Sequence, residues 1–200
     1  MRWMLAVLGL LVISATATWA GEAEPELKPM SAVEAEERVR TVRDALTDML
    51  WLNTEDHWHN GRWDEAIRLC RQIVQIDPHF VEAYNGAAWM LWSSDRDEEA
   101  IELFELGIAA NPKRHEIYHD YGMYLFHEKK YLEAAEMFRK SVETDAPMYY
   151  QHMLPNSLER AGKRQEALDE WRRLRKRFPE DPIPGRHIGR LEEEMKAEAD

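Results

Sequence analysis

The chain has 200 residues, 44% of them hydrophobic and 32% charged, which suits one core or a short repeat array and excludes a largely disordered protein. Its formal charge of −12 becomes −13 if Arg2 leaves with the N-terminus (−12 − 1), so the surface repels polyanions and no nucleic-acid partner is expected. A single cysteine, Cys70, excludes an intramolecular disulfide, and its distance from any cleavage site excludes an N-terminal lipid-modified cysteine.

In chain order, residues 1–20 come first: Arg2 gives a minimal positive start, Trp3 to Ile13 is an unbroken apolar run, and Ser14 to Ala20 is small and polar. This is the order of a secretory signal peptide. Ala15-Thr16-Ala17 and Thr18-Trp19-Ala20 both fit a small-x-small cleavage rule, and the second, leaving Gly21 as the mature start, is preferred. An uncleaved anchor competes, but a spanning helix needs ~20 apolar residues, a length reached here only by including Ser and Thr. The expectation is a periplasmic or secreted protein without a stable membrane span after cleavage.

Residues 21–30, with Pro25 and Pro29 among glutamates, read as a disordered leader. Over 31–46 an N-terminal helix is expected after Ser31. Its stripe of Val39, Val42 and Leu46, continued by Met49, would run into the next element and cover its open end.

From residue 47 onward the sequence repeats. Alanines fall at 66, 100, 134 and 167, spaced 34, 34 and 33, each followed four places later by a larger residue: Cys70, Phe104, Phe138 and Trp171. Prolines at 78, 112, 147 and 179 close the segments. Between each proline and the next alanine lies a second helix, patterned Tyr84, Ala87, Ala88, Leu91 in one unit and Tyr118, Tyr121, Gly122, Leu125 in the next. Ala88 and Gly122 are small where paired helices cross, and turns such as Asn60-Gly61-Arg62-Trp63, Glu128-Lys129-Lys130-Tyr131 and Ala161-Gly162-Lys163 separate the pairs.

An aromatic, a large apolar residue, a Gly or Ala, then Ala, Phe and Pro over 34 residues resembles the tetratricopeptide repeat. The resemblance implies an all-α fold: a right-handed superhelical stack of about four helix-turn-helix hairpins at 47–80, 81–114, 115–147 and 148–181, with an N-terminal helix and a capping helix in 182–200. The middle two units match best. The first has Thr54 where a small crossing residue is expected. The last, degenerate unit has Pro155 there, so its first helix must kink or begin late. Pro182-Ile183-Pro184-Gly185 is expected to break the chain before a final helix bearing Ile188, Leu191 and Met195.

Each first helix has a second face, rotated by one residue from its core stripe. It carries Trp51, Glu55 and Trp58, then Asn85, Trp89 and Trp92, then His119, Met123 and Phe126, then His152, Asn156 and Glu159. The resemblance implies that these rows line the concave side of the stack. Read as a groove, they supply aromatic anchors, while Asn85, His119, His152 and Asn156 are suited to a ligand's backbone. Read as packing, the same rings fill the space between neighbouring hairpins. No Lys or Arg appears in these rows, unlike the carboxylate-clamp subset of the family, so an apolar, aromatic or mildly basic ligand is the better match.

Other motifs carry less. His115-Glu116-Ile117-Tyr118-His119 spells the H-E-x-x-H zinc motif and Gly122 extends it, but Leu125 stands where a longer site needs a third histidine. A non-catalytic metal site on His115 and His119, helped by His152, is the alternative it leaves. Arg172-Arg173 and Arg175-Lys176-Arg177 read as a solvated helix face beside Glu166, Asp169 and Glu170. Cys70 reads as a core thiol, and there is no phosphate loop, Ser-His-Asp order or C-x-x-C pair to support an enzyme. The functional expectation is therefore a non-enzymatic, cofactor-free scaffold that binds a peptide or helix of an envelope protein. A metal-binding protein and a self-associating oligomer are the alternatives.

Overall fold

The computed structural model describes residues 30–199, so the signal-peptide reading of 1–20 and the leader reading of 21–29 lie outside the described residues. The described chain is ten α-helices arranged as consecutive antiparallel pairs: α1 (Ala32–His59) with α2 (Trp63–Ile76), α3 (Val81–Trp92) with α4 (Asp97–Ala110), and α5 (His115–His127) with α6 (Tyr131–Glu143). The fourth pair sets α8 (Met153–Arg160) against α9 (Arg164–Arg177), the short α7 (Met148–Gln151) packs on α6 as it leads into α8, and α10 (Pro182–Ala197) packs along α9.

The repeated residues form the core because each lands at a helix crossing. Ala66, Ala100, Ala134 and Ala167 are fully buried, as are Cys70, Phe104, Phe138 and Trp171 one turn on. Gly122 is required by this geometry: a Cβ there would stand 2.7 Å from the Phe138 ring. Gly107 lies equally close to Ile117. In the first pair Thr54 takes the crossing position, buried, with its hydroxyl donating to the Leu50 carbonyl at 2.9 Å.

Every hairpin turns the same way. Gly61, Asp95, Lys129 and Gly162 have positive φ, and the residue after each donates its N–H to the carbonyl five residues back, Arg62 to His57, Arg96 to Leu91, Lys130 to Leu125 and Lys163 to Leu158. These are left-handed helix C-caps, cheap at glycine and strained at Asp95 and Lys129.

The structure redraws three elements. The segment 31–46 is the first half of α1, which runs unbroken to His59 from a capping box of Ser31 and Glu34. Its apolar stripe covers nothing: Val39, Val42, Leu46 and Met49 are all exposed. In the fourth unit the first helix divides at His152, which places Pro155 in the first turn of α8, where a missing N–H costs little. Finally, Pro182 and Pro184 do not precede the last helix. They form its first turn, capped by Asp181, which accepts from the Ile183 N–H at 2.9 Å.

Candidate functional site

The structure divides the residues of the expected rows into an N-terminal cavity, a polar middle, side chains taken up by the fold, and a C-terminal cavity. At the N-terminal end a cavity of about 450 Å³ opens between α1, the start of α2, and α3. Trp51, Trp58, Trp63 and Trp89 surround it, with Thr54, Glu55, Gly86, Met90 and Ser93 completing the wall. The Trp51 indole packs on Phe80 with ring centres 5.3 Å apart, and a Cβ added at Gly86 would lie 3.6 Å from that indole. Trp89 meets Trp92 edge-on at 4.7 Å. Trp58 is 52% exposed. Trp63 belongs to this site although the sequence marks it only as a turn residue opening α2.

The middle of the face is polar and closely packed. Asn85 donates to Asp120 at 2.5 Å, while its own side-chain oxygen is buried without a hydrogen-bond partner among the described residues. His119 stacks on Tyr150 at 4.0 Å and packs against Phe138, and its Nδ1 is likewise unpartnered. Burial, with some help from His115, holds the His119 imidazole down at about 4. Burial, with some help from Glu116, raises the Asp120 carboxyl to about 6. Burial thus disfavours the charged form of both groups, and both are neutral together only between about pH 4 and 6.

Trp92 and Met123 serve the fold. Trp92 donates its indole N–H to Glu128 at 2.9 Å and packs edge-on to Tyr124, joining two hairpins, and Met123 packs against the core. His152 contacts Asp181 at 2.6 Å and lies beside Trp171, so it is occupied within the fourth unit. At the C-terminal end Phe126 and Asn156 line a second cavity of about 630 Å³ with Arg160, Arg164, Arg190 and His187. Glu159, the acidic member of the fourth row, is held by Arg190, by the Trp171 N–H at 2.7 Å and by His187 at 3.2 Å. These side chains come from α8, α9 and α10, outside the repeated rows, which is why the rows alone gave no sign of them.

The zinc-like motif does not assemble a site. Glu116 accepts from Arg114 at 2.8 Å, His119 is enclosed by Tyr150, and among the described residues no three His, Cys, Asp or Glu side chains gather to hold a metal. The metal-binding alternative built on His115 and His119 thus lacks a ligand set. Cys70 is buried and its thiol is pushed up to about 12 by burial, the state of an inert core thiol. In the basic run of α9, Arg172 pairs with Glu192 at 2.7 Å, Arg173 with Glu170 at 2.6 Å and Arg177 with Asp145 at 3.3 Å. Among the described residues no helix is long and apolar enough to cross a membrane.

Two family models, both described as tetratricopeptide repeat, match residues 57–120 and 115–147. No curated protein sequence matches the chain. Solved structures of PilF from Pseudomonas aeruginosa (TM-score 0.59, 17% identity, 78% of this chain and 71% of that one) and of MamA (TM-score 0.58, 17% identity, 72% and 84%) share the fold. So does YrrB, described as a TPR protein with an unusual peptide-binding site (TM-score 0.54, 16% identity, 72% and 74%). At such identities the likeness concerns the fold alone.

Proposed function

This chain belongs to the tetratricopeptide repeat superfamily, and from that premise we propose that it is an exported interaction scaffold whose N-terminal inner face binds an apolar, aromatic-bearing segment of a partner protein. The observation that carries the reading is the cavity of about 450 Å³ walled by four tryptophans, one of them 52% exposed. Rigid indoles around an unfilled space provide large contact area at little conformational cost, and such residues are enriched among binding hot spots. Glu55 on the rim favours a neutral or basic ligand. The peptide site described for YrrB supports a peptide as the ligand class. Export is supported by the order of Arg2, the apolar run and Thr18-Trp19-Ala20. The mass of the protein purified from its cell tests that part, a chain beginning at Gly21 being expected and an intact Met1 contradicting it.

Selection of a displayed peptide library on the protein tests the ligand class. The recovered peptides are expected to share bulky apolar residues and to lose binding to a Trp58→Ala variant. Recovery of peptides defined by acidic C-termini, indifferent to Trp58, would move the site to the arginines of the C-terminal cavity.

A further inference from the structure

Helix α1 is twice the length of the helix it pairs with, 28 residues against 14 for α2. Antiparallel pairing from the turn at 60–62 brings the end of α2 level with the middle of α1. The N-terminal half of α1 therefore projects as an arm, about 20 Å long at the rise of an α-helix. From Ser31 to Leu46 every residue is exposed apart from Ala35 and Arg43, which are half-buried. A lone helix of this length is marginal in water, yet this one begins at a complete capping box.

Its large apolar residues are Val39, Val42, Leu46 and Met49, 69%, 68%, 37% and 52% exposed. Their spacing of three, four and three is the 3.5-residue period of a coiled-coil seam, continued toward the N-terminus by Ala35 and Ala32. The face is distinct from the one on which Thr47 and Thr54 are buried in the body. We propose that this seam closes on the same seam of a second copy, as a two-fold antiparallel pair of α1 helices centred between Arg40 and Thr41.

The charges beside the seam select the orientation. A parallel pair would set Arg38 against Arg43 of the second copy, like against like. The antiparallel pair sets Glu36 against Arg43, twice by symmetry. It also stacks Val39 on Val42, Leu46 on Ala35 and Met49 on Ala32, so that large side chains meet small ones in the outer layers. Arg43 pairs with its neighbour Asp44 at 2.8 Å, an exposed contact, and also feels the charge of Asp77 at the end of α2. The preceding residues 21–29 carry one large apolar side chain, Leu27, and three glutamates, too little to fill the seam from the same chain.

The test uses the purified full-length protein in sedimentation equilibrium. A concentration-dependent dimer is expected. Val39→Glu/Val42→Glu, both at exposed helix positions, is expected to abolish it without changing the helical circular dichroism. Arg43→Glu is expected to weaken it roughly tenfold, and Glu36→Arg/Arg43→Glu to restore it. In a Cys70→Ser background, Ala35→Cys mixed with Leu46→Cys is expected to form a disulfide-linked dimer, while neither crosslinks alone. A monomer at all concentrations, meaning that a different protein or the chain's own N-terminus covers the arm, would overturn the proposal. So would a dimer that survives Val39→Glu/Val42→Glu, or crosslinking of Ala35→Cys with itself.

Discussion

At the C-terminal end of the stack, α10 packs along α9 and Trp171, Leu174, Ile188 and Leu191 are all buried in a continuous core. At the N-terminal end nothing among the described residues does the same for α1: its apolar seam is exposed and a tryptophan-walled cavity opens between α1 and α3. One repeated register runs through both ends. Trp58, Trp92, Phe126 and Glu159 are equivalent positions, yet Trp58 stands in solvent at a cavity, Trp92 is hydrogen-bonded to the next hairpin, and Glu159 is held by Arg190 and Trp171. The fate of a repeat position is thus set by the neighbour that covers it, and the end where no described residue covers α1 is the end left with exposed apolar surface.

Stability measurements should separate the two ends most sharply at their tryptophans. Trp171→Ala removes a fully buried indole and leaves Glu159 short of a donor, and is expected to cost about 3–5 kcal/mol in denaturant unfolding. Trp58→Ala should cost no more than about 0.5 kcal/mol. Equal losses would break the comparison.

The glycines sharpen it at smaller scale. A Cβ at Gly122 would meet the Phe138 ring at 2.7 Å, so Gly122→Ala is expected to destabilise by about 1–3 kcal/mol. A Cβ at Gly86 would meet the Trp51 ring at 3.6 Å, an ordinary van der Waals contact, so Gly86→Ala is expected to gain up to about 1 kcal/mol from helix propensity, read as a higher unfolding midpoint.

Between the ends, His119 and Asp120 give effects that appear only as a pH dependence, and they oppose each other. Asp120 titrates at about 6 when folded against an ordinary 3.8, so its stabilising contribution is full below about 3.8 and is lost as pH rises through about 6. His119 titrates at about 4 against 6.5, so its contribution is present above about 6.5 and is lost as pH falls through about 4. Urea midpoints across this window should therefore fall with acidification in Asp120→Asn and fall with rising pH in His119→Phe. If the two variants share one slope, the polar middle of the face is not held neutral.

Much of the fold is legible in the sequence because a 34-residue period ties each alanine, and the larger residue four places on, to one crossing geometry. The fourth hairpin is legible too, since Pro155 forces a break wherever a helix would run through it. The site is less legible. Rotation by one residue groups Trp51, Trp58 and Trp89, which line one cavity, but not Trp63, which reaches that cavity from the start of a second helix. Nor does it separate Trp92 or His152 from the groove, because Glu128 and Asp181 lie 36 and 29 residues away and belong to no shared period. The seam on α1 was visible as a stripe, but whether a stripe caps its own fold or stands free depends on how far the paired helix reaches, which spacing alone does not give.

The central claim, that the uncovered end is the binding end, is tested most directly by calorimetric titration of a selected peptide into three proteins: wild type, Trp58→Ala and Arg160→Ala. The account predicts at least a roughly tenfold loss of affinity for Trp58→Ala, with its unfolding midpoint nearly unchanged, and a change within about twofold for Arg160→Ala. Full affinity in Trp58→Ala together with loss in Arg160→Ala would contradict it.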